Sequence, residues 1–140
     1  MAYVLVVDDD ADARELVSRH LRKEGHAVEC APNGQEAMAA LMRRTPDVVI
    51  LDAVMPEMDG VTFLEVIRCY LRWSKLPVIM LTAFSEGMHV RKGVELGVRK
   101  TFLKADYHPA ELLAHVDACA GCGPDVLPDP PPPSFGGRMN

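Results

Sequence analysis

Five short runs of apolar, mostly β-branched residues recur at fairly even spacing: Tyr3 to Val7, Ala27 to Ala31, Val48 to Leu51, Val78 to Leu81 and Thr101 to Leu103. The first, third and fourth are apolar throughout, which suits strands buried on both faces of a parallel sheet. Helical periodicity fills the gaps. Ala13, Leu16, Val17 and Leu21 share one helical face that stops at Gly25, and Ala37 and Leu41 share a second that stops at Thr45-Pro46. Phe63, Leu64, Ile67 and Leu71 give the clearest stripe, beginning after Asp59-Gly60. The stretch from Gly87 to Leu96 is the weakest helical pattern, with Gly93 inside it and Gly97 closing it. The last helix starts at Pro109, a favoured first-turn residue, and carries Leu112, Leu113 and Val116. Strand and helix thus alternate five times, the signature of a doubly wound α/β domain.

The periodicity ends near Ala120, which divides the 140 residues into a domain over 1–120 and a tail over 121–140. The tail contains six prolines (Pro124, Pro128 and Pro130 to Pro133) and little that could pack, so it reads as a disordered end or a stump of linker. A PxxP pattern also fits a docking peptide for an SH3-like or WW-like partner. Apolar residues make up 49% and charged residues 25%, the balance of a folded globular chain. Lys plus Arg is 15 against 20 Asp plus Glu, a net charge of −5 that argues against direct DNA binding. No apolar run approaches the roughly 18 residues of a membrane span. Met1 to Val7 has no basic leader and runs into three aspartates, so it reads as a strand and not as a signal peptide; the expected location is the cytoplasm.

Four cysteines are too few and too scattered for a disulfide framework. Cys30 and Cys69 lie in apolar-periodic segments and are expected to be small core residues. Cys119 and Cys122 form a lone CxxC with no further zinc ligands nearby, and no role is assigned to it.

Open parallel sheets bind ligands at the carboxyl ends of their strands. The first strand ends in Asp8-Asp9-Asp10, the third in Asp52, the fourth in Thr82 and the fifth in Lys104. Clustered carboxylates repel unless a positive charge sits among them, and Mg²⁺, a hard ion that keeps several waters, answers this. Mn²⁺ is an alternative occupant. A carboxylate beside such an ion can act as a nucleophile toward a phosphoryl group and form an acyl phosphate. Lys104 would then balance the phosphoryl charge while the Thr82 hydroxyl hydrogen-bonds to it. Asp10 or Asp12 is better read as the cap of the first helix, and Asp59 as the cap of the third.

Val6-Val7-Asp8-Asp9, the run from Pro46 to Gly60 with its LDxxMPxMDG core (Leu51 to Gly60), Leu81-Thr82-Ala83 and Lys104 resemble the receiver domain of bacterial two-component response regulators, over roughly residues 3 to 118. The resemblance implies a flavodoxin-like five-stranded parallel sheet in the order 2-1-3-4-5. It implies that Asp52 accepts a phosphoryl group from a histidine kinase or phosphotransfer protein. Mg²⁺ would be held by Asp8, Asp9, Asp52 and the backbone carbonyl of Val54. Thr82 and Lys104 would engage the phosphoryl group, and a downstream protein would read the face formed by the fourth helix, fifth strand and fifth helix.

Three departures from the family pattern follow. The aromatic expected three residues before the lysine is replaced by Thr101, and the nearest aromatic, Phe102, points to the other face of its strand. The lysine is followed by Ala105 where the family has a cis proline, so that bond is either strained or trans, and the loop over Ala105 to His108 is one residue longer. Val54 and Phe84 occupy the positions that flank the route of hydrolytic water, and neither can orient a water, so self-dephosphorylation is expected to be slow.

A haloacid-dehalogenase-type phosphatase is disfavoured, because its DxDx[T/V] signature would need Thr or Val where Asp12 stands. A nucleotide or flavin binder is disfavoured because Asp8-Asp9-Asp10 repels phosphate. The remaining alternative is a degenerate, phosphorylation-independent docking module. The residues beyond the last helix leave no room for an output domain, so the sequence reads as a stand-alone regulator or a receiver excised from something larger.

Overall fold

Each of the five apolar runs becomes a strand of one parallel sheet. The structure, a computed structural model, describes residues 2–55, 58–83 and 88–121. Its strands are β1 (Tyr3–Val7), β2 (Ala27–Ala31), β3 (Val48–Leu51), β4 (Val78–Thr82) and β5 (Lys100–Leu103). They pair in the order β2-β1-β3-β4-β5, with Val7 opposite Ala31 on one side and Leu51 on the other. Among the described residues, five α-helices connect or follow them: α1 (Ala11–Lys23), α2 (Gly34–Arg43), α3 (Gly60–Arg68), α4 (Met88–Glu95) and α5 (Pro109–Gly121). No helix among the described residues is long and apolar enough to cross a membrane.

Alternation along the strands feeds two cores. Val4 and Val6 of β1 join Val17 and Leu21 of α1, Ile79 and Leu81 of β4, and Leu112 and Val116 of α5. Leu5 and Val7 face the other way, onto Ala37 and Leu41 of α2 and Phe63, Leu64 and Ile67 of α3. β1, β3 and β4 are buried at every position, which is why they read as continuous apolar runs. Phe102 packs into the α1–α5 core, as its position one residue beyond Thr101 predicts.

Helix starts follow their caps. Asp10, and not Asp12, caps α1 by accepting from the Asp12 and Ala13 amides, and Asp59 caps α3 by accepting from the Thr62 amide at 2.9 Å. Gly25 and Gly97 leave α1 and α4 with φ of 90° and 85°, values that side chains disfavour. The Lys104–Ala105 peptide is trans, there being no cis bond among the described residues.

The core assignment needs correction at four positions. Cys30 is exposed because β2 is an edge strand; its Sγ lies 3.0 Å from the Oγ of Ser18, which is buried. Cys69 is exposed because it is the C-cap of α3. The helical stripe does not reach Leu71: α3 stops at Arg68, a 3₁₀ turn spans Leu71–Trp73, and the changed period turns Trp73 inward while Leu71 is 93% exposed. Leu16 is also exposed, since Val17 and Leu21 take the inward face of α1. Of the CxxC pair, Cys119 is buried, and Cys122 lies outside the described residues, as do Gly87, Phe84 and the proline-rich stretch.

Candidate functional site

The order of the sheet puts the ends of β1 and β3 side by side. The Asp8 amide donates to the Ala31 carbonyl at 3.1 Å and the Asp52 amide to the Val7 carbonyl at 2.9 Å, so each ladder runs one residue past its strand and delivers a carboxylate to the same edge. On the far side, the Lys104 amide donates to the Thr82 carbonyl at 2.8 Å, extending β5 in the same way. Its ammonium group reaches back across the sheet. Nζ lies 2.8 Å from Asp8 Oδ2, 3.0 Å from Asp8 Oδ1 and 3.1 Å from Asp52 Oδ2. Thr82 is buried at the end of β4, between these strands.

Asp8 and Asp52 are only 3% and 4% exposed. Burial, and next the charge of Asp8, push the Asp52 carboxyl up to about 6, against the opposing pull of Lys104 and the Val54 amide. For Lys104 burial acts downward, but the hydrogen bonds to Asp8 and Asp52 and their charges outweigh it and hold the ammonium above its ordinary range. The site is therefore a buried acid pair with one built-in cation, short of positive charge by at least one unit.

Asp9, exposed at the rim, adds a third carboxylate. Oxygens of Asp8, Asp9 and Asp52 lie within 4.8 Å of one another, and all are hard donors. That donor set fits Mg²⁺ or Mn²⁺ and does not fit a thiophilic metal.

Asp8, Asp9, Asp52, Thr82 and Lys104 are thus brought to one edge of the sheet from four strand ends. Val54 stands beside them, its amide donating to Asp52 Oδ1 at 3.2 Å and its side chain partly exposed. Phe84 lies outside the described residues.

Two further residues belong to the site although their sequence positions suggest other roles. Gly60 reads as a helix start, yet a Cβ there would lie 2.0 Å from the Asp52 carbonyl oxygen; α3 begins directly against the backbone of Asp52. Arg14 reads as a polar residue of α1, but its Nη1 donates to the Asp8 carbonyl at 2.6 Å. Only its spacing from Asp8, one turn into a helix that folds back over the strand end, could have signalled this.

The family model described as "Response regulator receiver domain" matches residues 4–117. The transcriptional regulatory protein GltR of Pseudomonas aeruginosa is 36% identical over 115 residues, which are 82% of this chain and 47% of GltR. An uncharacterized 14.6 kDa protein of Leptolyngbya boryana is 36% identical over 124 residues, covering 88% of this chain and 94% of that one. The structure of the Vibrio cholerae chemotaxis protein CheY4 superposes with a TM-score of 0.77 at 33% identity, over 85% of this chain and 98% of CheY4. The chain spans about half the length of GltR and is thus comparable to one part of such a regulator.

Proposed function

The chain belongs to the response regulator receiver-domain family, and from that premise we propose that Asp52 is the phosphoacceptor of a signalling switch. The observation that carries the proposal is the convergence of Asp8, Asp52 and Lys104 within 3.1 Å contacts at the carboxyl edge of the sheet. Response regulators are phosphorylated by histidine kinases, and a histidine kinase or histidine phosphotransfer protein is the proposed donor here.

In the proposed step a carboxylate oxygen of Asp52 attacks the phosphorus of a phosphohistidine. The P–O bond forms as the P–N bond breaks, and the imidazole leaves with the electron pair and takes up a proton. Asp8, Asp9, Asp52 and the Val54 carbonyl would hold Mg²⁺, with Mn²⁺ as substitute. The ion, when bound, neutralises charge on the acids and on the phosphoryl oxygens. Lys104 exchanges its Asp52 contact for a phosphoryl oxygen, and the Thr82 hydroxyl donates to another. Val54, partly exposed at the rim, and Phe84 offer no group that orients a hydrolytic water, so the acyl phosphate decays slowly.

The readout is assigned to a downstream protein at the α4–β5–α5 face, where Thr101 stands in place of an aromatic switch. Direct DNA binding is not part of the proposal, given the net charge of −5. The domain is taken as 1–120 with 121–140 as tail, and a cytoplasmic location goes with the proposed kinase.

Intact mass after incubation with Mg²⁺ and acetyl phosphate tests this. One added phosphoryl group that requires Mg²⁺ and is lost in Asp52→Asn supports the assignment; no gain by the folded wild-type protein overturns it.

A further inference from the structure

Three carboxylates bind a cation more tightly when their directions are fixed before the ion arrives, because orienting them on binding costs affinity. Asp8 is fixed several times over. Its Oδ1 accepts from the Asp10 amide at 2.9 Å, Lys104 contacts both its oxygens, and its amide is in the sheet ladder. Asp52 is fixed by Lys104, the Val54 amide and its own ladder bond. Asp9 is different. It is exposed, and no hydrogen bond from a described residue holds its carboxylate, so its direction follows from its backbone.

That backbone is held on both sides of Asp9: the Asp9–Asp10 peptide donates its amide to Asp8 Oδ1 at 2.9 Å, and Arg14 takes the peptide before it. The Asp8 carbonyl, whose peptide unit joins Asp8 to Asp9, accepts from Arg14 Nη1 at 2.6 Å in a partly buried, charge-assisted bond. Arg14 is well placed to hold still, since its own amide donates to the Asp10 carbonyl at 3.0 Å within the first turn of α1. We infer that Arg14 is a positioning residue for the divalent-cation site, fixing the peptide plane between Asp8 and Asp9 so that the exposed Asp9 carboxylate completes the donor set. The inference rests on the metal site of the proposed function and adds to it a residue outside the acid cluster.

The two things a guanidinium can do here have opposite signs. A positive charge beside a cation site weakens binding by repulsion, so if charge governs, removing Arg14 raises the affinity for the ion. If position governs, removing it lowers the affinity. A purely structural role lowers stability and leaves the affinity of the folded protein alone.

The test is Mn²⁺ titration of the full chain, with free Mn²⁺ read by electron paramagnetic resonance and the fold checked by circular dichroism. Arg14→Met is expected to bind Mn²⁺ about tenfold more weakly than wild type, in the range that loss of a partner behind a metal ligand produces. Arg14→Lys, which keeps the charge and a single donor, is expected to fall between them. Arg14→Gln carries the test if Arg14→Met does not fold. An unchanged or tighter affinity in a folded Arg14 variant overturns the inference while leaving the metal site intact. A folded wild type that takes up no Mn²⁺ overturns both the site and this role for Arg14.

Discussion

Replacing Asp52 by Asn should make the metal-free domain more stable, although it removes the residue on which the proposed chemistry depends. Burial and the neighbouring Asp8 raise the Asp52 carboxyl from 3.8 to about 6 even with Lys104 in contact. A carboxyl whose folded-state value is raised opposes folding once the unfolded chain has ionised. Below 3.8 both states are protonated and the residue is neutral in effect. As pH rises toward about 6, the unfolded chain loses the proton while the folded one keeps it, and stability falls; above that the penalty is constant. A shift of about two units at roughly 1.4 kcal/mol each gives a penalty of about 3 kcal/mol at neutral pH, and about half of that near pH 5. Asn keeps the shape and carries no charge, and Lys104 keeps Asp8 as partner. Urea denaturation in EDTA at about pH 7.5 and about pH 5 measures both points. The expected result is a variant more stable by up to about 3 kcal/mol at the higher pH, with the gap shrinking at the lower. Equal or lower stability of the variant near pH 7.5, or a gap that ignores pH, would refute the reasoning.

Other perturbations follow from single contacts. The Tyr107 hydroxyl is buried with no hydrogen-bond partner among the described residues, its ring 6.5 Å from that of Phe102. Tyr107→Phe should therefore stabilise the domain by about 1 kcal/mol in urea melts; a destabilised variant would show that the hydroxyl has a partner. Gly60→Ala places a methyl group 2.0 Å from the Asp52 carbonyl oxygen, so α3 or the end of β3 must move. The expected loss is about 2 kcal/mol together with slower phosphorylation by acetyl phosphate, and an unperturbed melt counts against the close approach. Val54→Asn combined with Phe84→Glu should shorten the life of the acyl phosphate, followed as mass loss after the donor is removed; unchanged decay rules out the missing water-orienting groups as the reason for slow hydrolysis.

Element identity and the site's main members could be read locally. Apolar runs bounded by Asp8, Asp52, Thr82 and Lys104 fix both the strand and the end at which its chemistry stands, because a buried ladder tolerates no charge until it reaches an edge. The caps are equally local, since Asp10 and Asp59 act on amides two or three residues away. Boundaries moved only slightly: β4 extends to include Thr82, and β5 begins one residue early at Lys100.

What pattern alone misjudged depends on what lies across from a residue. Cys30 belongs to an apolar run, yet its exposure follows from β2 being at the edge, a property of strand order. Leu71 continues a helical stripe on paper, but the 3₁₀ turn hands its place to Trp73, whose Nε1 donates to Thr45 from the α2–β3 connection at 3.1 Å. Arg14 and Gly60 gain their roles from backbone oxygens brought close by folding. The alternation of elements, the hydrophobic faces and the acids, hydroxyl and lysine at the strand ends are legible in the chain alone, because these rest on short-range periodicity and on the cost of burying charge. The reach of Lys104 to Asp8, 96 residues away, and the rise of the Asp52 carboxyl to about 6 emerge on folding. Both follow from crossovers that set β1 beside β3 and bring the end of β5 within reach of them, so that the environment of a buried carboxylate is made by residues distant in the chain.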